Sequence, residues 1–213
     1  MKKHGGSGGG GGKKGKGQDC AAALQVKGVP PPDSLFIDLS GHYPPIDTID
    51  ASMQEYSMCE KVSLSSNNID KIQNLPTACL KIVSLGRNCI KKLDGIQQVK
   101  DTLEQLWISY NNIDKLHGIE EMHRLQVLYM SNNKIAEWEE IDRLRGLMDL
   151  TDVLFVGNPL QIRYKKKNML GEYEREMKKR LPFLKKLDGH ILTEEEQGSS
   201  DETHEGRECH AHT

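Results

Sequence analysis

The sequence predicts an α/β solenoid, and three features carry that prediction: a short template that occurs five times, an asparagine held inside each copy, and a change of hydrophobic period within each copy. The template reads L-x-x-L-x-L-x-x-N-x-L-x-x-L. Its first copy uses Cys59, Val62, Leu64, Asn67, Ile69 and Ile72, and its second Leu80, Val83, Leu85, Asn88, Ile90 and Leu93. The third runs Leu103, Leu106, Ile108, Asn111, Ile113 and Leu116, and the fourth Leu125, Leu128, Met130, Asn133, Ile135 and Trp138. A truncated fifth runs Leu150, Val153, Phe155, Asn158 and Leu160. The asparagines follow one another at steps of 21, 23, 22 and 25 residues, the period of a leucine-rich repeat.

Pairs such as Val62-x-Leu64 and Leu106-x-Ile108 alternate as a strand with one buried face does, whereas Leu116, Ile119, Met122 and Leu125 recur at helical spacing. Each copy is therefore a short strand followed by a helical return. One copy cannot cover its own apolar face, so the copies stack, with a parallel β-sheet on the concave side and short helices on the convex side. Asn recurs because one amide offers both donors and an acceptor to backbone groups that the coil buries at the strand's exit. Asn67, Asn88, Asn111, Asn133 and Asn158 are thus expected to form a structural ladder.

Both ends of such a stack need closing. Ile46 and Ile49 read as the last part of a degenerate repeat ahead of the first. Downstream, Leu170, Tyr173, Met177 and Leu181 mark one face of a helix that stops near Pro182, and Phe183, Leu184 and Leu187 follow as a strand-like turn, a C-terminal helical cap. Outside this body the composition changes. Residues 1–17 are almost wholly Gly, Lys and Ser, which cannot bury enough apolar surface to offset the entropy of ordering. Pro30-Pro31-Pro32 and Pro44-Pro45 punctuate the approach, with Leu35-Phe36-Ile37 as a short apolar piece between them. The expected organisation is a flexible arm over 1–42, a repeat domain with its cap over 43–193, and an acidic flexible tail over 194–213.

Composition limits the function. The net charge of -2 provides no global basic field for nucleic acid or an anionic membrane, and no run approaches the roughly 18 apolar residues of a membrane helix. Five cysteines without C-x-x-C spacing, and no N-x-[ST] sequon, argue against a secreted disulfide scaffold and for reduced thiols in a soluble intracellular protein. Cys209-His210-Ala211-His212 has no second ligand pair at metal-finger spacing, so no metal or other cofactor is expected. Nor is catalysis: there is no G-x-S-x-G, P-loop or H-E-x-x-H, and no Cys with a placed His. His117, His123, Asp70 and Asp114 read as surface or turn residues, and Trp138 as a convex-side core residue.

The strand residues between the buried ones point to the concave face. Across the stack they form rows: Lys61, Ile82, Gln105, Val127, Asp152; then Ser63, Ser84, Trp107, Tyr129, Leu154; then Ser65, Gly86, Ser109, Ser131, Val156. The first repeat is polar there, while Trp107, Val127, Tyr129, Leu154 and Val156, with Ile82 beside them, make an apolar neighbourhood of the kind that marks a protein interface. The alternative is that the cap or a tail folds over this face. A second candidate is the basic surface around the cap, Lys165, Lys166 and Lys167 with Lys178, Lys179 and Arg180. It reads either as a solvated face or as an electrostatic dock for an acidic surface. Without interleaved aromatics it does not fit nucleic acid.

The segments KVSLSSNNIDKI, IVSLGRNCIKKLDGI, DTLEQLWISYNNIDKLHGI, LQVLYMSNNKIAEW, LFVGNPL and RLPFLKKLDG go beyond the generic frame, because they also fill the variable, exposed positions. Over about residues 43–190 the chain resembles the axonemal dynein light chain 1 family of leucine-rich-repeat proteins. That resemblance implies a non-catalytic subunit of outer-arm dynein in the axoneme of a cilium or flagellum. It further implies binding to a motor heavy chain at its microtubule-binding stalk tip, possible contact with tubulin, and an effect on motility. The family's apolar sheet patch maps onto Trp107, Tyr129 and Leu154-Phe155-Val156, of which Phe155 falls on a buried position. A different partner on the same fold, such as a protein phosphatase or a ribonucleoprotein, is the competing reading.

Overall fold

The computed structural model describes residues 17–192. The Gly/Lys arm before residue 17, the acidic tail and the Cys209–His212 stretch lie outside the described residues. Eight strands form one sheet: β2 (Phe36–Asp38), β4 (Lys61–Ser63), β5 (Ile82–Ser84), β6 (Gln105–Trp107), β7 (Val127–Tyr129), β8 (Asp152–Leu154), β9 (Lys186–Leu187) and β10 (His190–Ile191). All neighbours are parallel except β9 and β10, which form an antiparallel end. In β4 to β8 the middle residue, Val62, Val83, Leu106, Leu128 or Val153, is buried, and its two flanking residues are half-buried on the concave side. One apolar core runs the length of the stack from Cys20 to Leu187. This is a leucine-rich-repeat solenoid, as the periodicity predicts.

The convex returns are tighter than α-helices in most coils. They are 3-10 turns at Ala51–Glu55, Ile96–Val99 and Ile119–Glu121, and only the fourth coil carries a short α-helix there, α2 (Trp138–Asp142). A return of about twenty residues per coil leaves little length for more than one tight turn. Gly95 and Gly118 open two of these turns at φ +95 and +92; a Cβ on Gly95 would collide with the carbonyl of Ile72 in the preceding coil.

The five asparagines are no more than 7% exposed and make the same bonds in each coil. Asn111 donates to the carbonyls of Ile108 (3.1 Å) and Leu85 (2.9 Å) and accepts from the amide of Ile90 (3.0 Å). Asn67, Asn88, Asn133 and Asn158 repeat this pattern one coil before or after, accepting from Ile46, Ile69, Ile113 and Ile135. One side chain thereby ties its own strand exit to the coil before it.

The N-terminal boundary differs from the expected one. Residues 17–42 do not form a flexible arm: β1 (Gln18–Asp19) pairs in parallel with β3 (Ile46–Thr48), α1 (Cys20–Lys27) follows, and β2 is the edge strand of the main sheet. The Pro/Gly punctuation hid a capping unit whose Cys20, Ala23, Leu24, Ile37 and Leu39 cover the apolar end of the first coil. Asp19 accepts from the amide of Ala22 and Asp50 from that of Ala21, satisfying the start of α1. Burial pushes the Cys20 thiol up to about 12. The four cysteines among the described residues are free.

At the other end α3 (Pro159–Lys166) and α4 (Leu170–Arg180) close the stack, with Tyr173 and Met177 buried beneath α4, followed by Leu181, Leu184 and Leu187. Leu170 and Phe183 remain exposed. Strand β9 is too short to offer carbonyls to the whole exit of β8. The carboxylate of Asp188 takes over, accepting from the amides of Phe155 (2.6 Å) and Val156 (2.8 Å). Burial raises the Asp188 pKa, and its bonds from those two amides only partly offset this.

Candidate partner-binding surface

The sheet register sets Trp107 of β6 directly beside Tyr129 of β7, and Tyr129 beside Leu154 of β8. The two rings stack with centroids 6.2 Å apart and planes 20° from parallel. Val127 and Ile82 flank them in the neighbouring row, half-buried like the rings, and Val156 is 37% exposed at the strand's exit. These six residues therefore share one side of the sheet. None of them belongs to the core, although Trp107 and Tyr129 are more shielded than free side chains would be. The indole Nε1 of Trp107 is buried and has no hydrogen-bond partner.

Four residues outside the predicted patch frame it. Lys61 of β4 reaches across the sheet, its ammonium 5.6 Å from the Trp107 ring centroid and 5.0 Å from that of Phe36. Phe36, on the edge strand, is 49% exposed and extends the aromatic surface toward the N-terminal cap. At the opposite end the Tyr129 hydroxyl donates to Asp152 (2.8 Å), which also accepts from Lys186 (3.3 Å). Burial, and then the Asp152 carboxylate, raise the Tyr129 pKa, so the phenol stays a neutral donor. The patch is thus an apolar strip with a cation at one end and a neutralised Asp–Lys pair at the other. Phe36 was missed because its strand lay inside the stretch read as an arm; the alternation Leu35-x-Ile37-x-Leu39 was the available signal.

The predicted basic surface divides. Lys165, Lys166 and Lys167 are exposed at the C-terminal end of α3, and Lys179 is exposed on α4. Lys178 is half-buried. Arg180 does not belong to that surface. Its guanidinium lies 4.5 Å from the Trp138 ring centroid and pairs with Asp142 at 3.1 Å and with Glu176, leaving the side chain 18% exposed. Trp138 packs in turn against Tyr164 and Tyr173, half-buried rather than in the core, so Arg180 clamps the cap onto the fourth coil. His117 and His123 are exposed. Among the described residues no three His, Cys, Asp or Glu converge as a metal site, and no helix is long and apolar enough to cross a membrane.

Residues 101–146 match the family model for leucine-rich repeats in two copies. Two solved leucine-rich-repeat structures overlay on 70% of the chain: an internalin from Listeria monocytogenes (TM-score 0.52, 16% identity, 39% of that chain) and a repeat protein from Leptospira interrogans (TM-score 0.54, 22% identity, 36% of that chain). At that identity they speak to the fold alone. Curated relatives are much nearer. Dynein axonemal light chain 1 of Chlamydomonas reinhardtii is 47% identical over 76% of this chain and 83% of its own length. The proteins of the same name from Danio rerio and Homo sapiens are each 49% identical, over 80% and 76% of this chain and 88% and 84% of their own lengths. The chain belongs to the dynein axonemal light chain 1 family.

Proposed function

We propose that this chain is a non-catalytic light-chain subunit of outer-arm axonemal dynein, held on a motor heavy chain by the concave face of its sheet. The observation that carries the reading is the Trp107–Tyr129 stack with Leu154 beside it, three side chains that the core does not use, on the strands of consecutive coils. Trp and Tyr at the centre of an apolar strip are the residues that dominate protein interfaces, and a bound surface can offer the unpaired Trp107 indole an acceptor. The family name of the relatives supports dynein as the assembly and the axoneme of a cilium or flagellum as the location. The heavy chain's stalk tip, next to the microtubule, is the docking point we favour. There the exposed lysines of the cap would face acidic tubulin, and the subunit would modulate motility. Neither nucleic acid nor membrane is a partner in this reading.

Truncating one central aromatic typically costs about 2 to 4 kcal/mol of binding. Trp107→Ala combined with Tyr129→Ala is therefore expected to leave circular dichroism near wild type while the heavy chain no longer co-purifies. A well-folded double variant that keeps wild-type heavy-chain binding places the interface elsewhere. A collapsed one makes the two rings part of the fold.

A further inference from the structure

We infer that the exit edge of the sheet beside Trp107, centred on Tyr110 and Arg87, is a second contact strip that receives a carboxylate-bearing segment of the same partner. The inference rests on the concave-face reading and names a specific contact outside that face.

In every coil the residue just before the ladder asparagine adopts the left-handed backbone conformation: Ser66, Arg87, Tyr110 and Asn132 at φ 59, 56, 58 and 54, and Gly157 at φ 82. The ladder requires it, because this turn lets the amides of Ser66, Arg87, Tyr110 and Asn132 donate to Gly86, Ser109, Ser131 and Val156 of the next coil. Gly and Asn suit that conformation, and the fourth and fifth coils use them. Arg and Tyr do not, yet they occupy the second and third coils. Tyr110 is 50% exposed, so its ring is not placed there to fill the core. A strained backbone position bearing a large exposed side chain has no folding reason, and such positions concentrate at functional sites.

The two side chains also form a unit. The Arg87 guanidinium lies over the Tyr110 ring, 4.8 Å from its centroid, and no carboxylate pairs with it among the described residues. A guanidinium held over a ring and without an ion pair keeps N–H groups available for bidentate hydrogen bonds, which a carboxylate matches best. Tyr110 lies three residues beyond Trp107 on the same coil, and Ser109 between them is on the concave face. A partner seated on the Trp107–Tyr129 strip therefore reaches Tyr110 on the third coil and, one coil back, Arg87.

The test uses the full-length chain, immobilised, and a high-salt extract of axonemes, with retained dynein heavy chains identified and quantified by mass. Tyr110→Asn gives the left-handed position a residue that suits it. The expected result is a melting temperature higher by about 2 °C together with roughly tenfold weaker heavy-chain retention. Arg87→Asn is expected to weaken retention too, with a deficit that shrinks as salt rises. A higher melting temperature with unchanged retention overturns the proposal, and so does a lower melting temperature, which would make Tyr110 a fold residue. The concave variant Trp107→Ala, Tyr129→Ala separates the two readings. If it loses the heavy chain while Tyr110→Asn keeps it, only the edge strip fails. If it keeps the heavy chain while Tyr110→Asn loses it, the concave face fails and the edge stands. A wild-type chain that retains no heavy chain overturns both.

Discussion

The asparagine ladder and the concave rows run in parallel along the same stack, a few residues apart, and they behave oppositely. The ladder keeps one set of bonds through five coils: one buried amide that binds the carbonyl three residues back, a carbonyl of the preceding coil and one backbone amide, from Asn67 to Asn158. The concave row that passes through Trp107 reads Asp38, Ser63, Ser84, Trp107, Tyr129, Leu154, with no two-coil pattern. A solenoid places the same demand on every coil, so what repeats serves stacking. What is exposed and refuses to repeat is not needed for stacking and is open to another use.

The strongest way to break this comparison is to remove one unit of the ladder. Asn111→Leu leaves the Ile90 amide buried without its acceptor and removes one of the two asparagine donors from the Leu85 and Ile108 carbonyls, which keep Asn88 and Asn133. A cost of about 3 kcal/mol follows, which in a domain of this size lowers the melting temperature by roughly 6 to 12 °C. Heavy-chain binding per folded molecule should stay at wild type. Thermal unfolding measures the first and a pull-down normalised to folded protein the second; an unmoved melting temperature would deny the ladder its structural role.

The same division explains which parts of the molecule the sequence disclosed. Stacking leaves a periodic trace, so the coils, the strand register and the rows containing Trp107 and Tyr129 were readable from spacing alone. The capping unit over 17–42 leaves only a fragment of such a trace, confined to its strand. Its strand even follows the template, with Ile37 and Leu39 aligned to Val62 and Leu64, but His42 stands where Asn is expected and Pro44-Pro45 lengthen the turn. His42 bonds Gln18 and the Pro44 carbonyl instead of a neighbouring coil. Arg180 misled for a related reason: a charge in a basic run carries no sign that a Trp forty-two residues upstream will fold beneath it. Contacts between distant single residues, unlike those between equivalent positions of a repeat, have no spacing to read.

Glu140 sharpens the rule, since it does not repeat and yet is buried, 3% exposed. Its carboxylate accepts from the Leu116 amide (2.8 Å), Arg143 (3.1 Å) and Lys115 (3.1 Å). Non-repetition alone therefore does not mark a partner site; exposure must accompany it. Burial pushes the Glu140 carboxyl upward, but the Leu116 amide, Lys115 and Arg143 outweigh it and hold the pKa below the ordinary value. A depressed folded pKa means the carboxylate's stabilisation is present above the unfolded value and is lost as pH falls through the folded one. Glu140→Gln should accordingly cost about 1 to 2 kcal/mol at neutral pH. The gap to wild type should close on acidification below the usual glutamate range. Melting curves across pH check this, and a gap that widens in acid would contradict the assignment.

The smallest effect on folding is expected at the exposed end of α3. Lys165, Lys166 and Lys167 lie at a helix C-terminus, where positive charge is favoured by the helix dipole but only weakly in solvent. Reversing all three to Glu should move the melting temperature by no more than about 2 °C, far less than the loss of one ladder asparagine. If the cap faces the acidic surface of tubulin, as we propose, the same variant should weaken microtubule co-sedimentation of the assembled light chain–heavy chain complex. The deficit should be most visible at low salt, because exposed charges are screened beyond about 10 Å at 0.1 M. Arg180→Ala makes the opposite expectation: released from Trp138, Asp142 and Glu176, the cap should melt earlier, and the salt dependence of co-sedimentation should not change. The two basic runs around the cap would then separate by readout, Lys165 to Lys167 through the partner and Arg180 through the fold. Co-sedimentation of the triple Lys→Glu variant that equals wild type at every salt concentration would leave these lysines as the solvated end of α3 and nothing more.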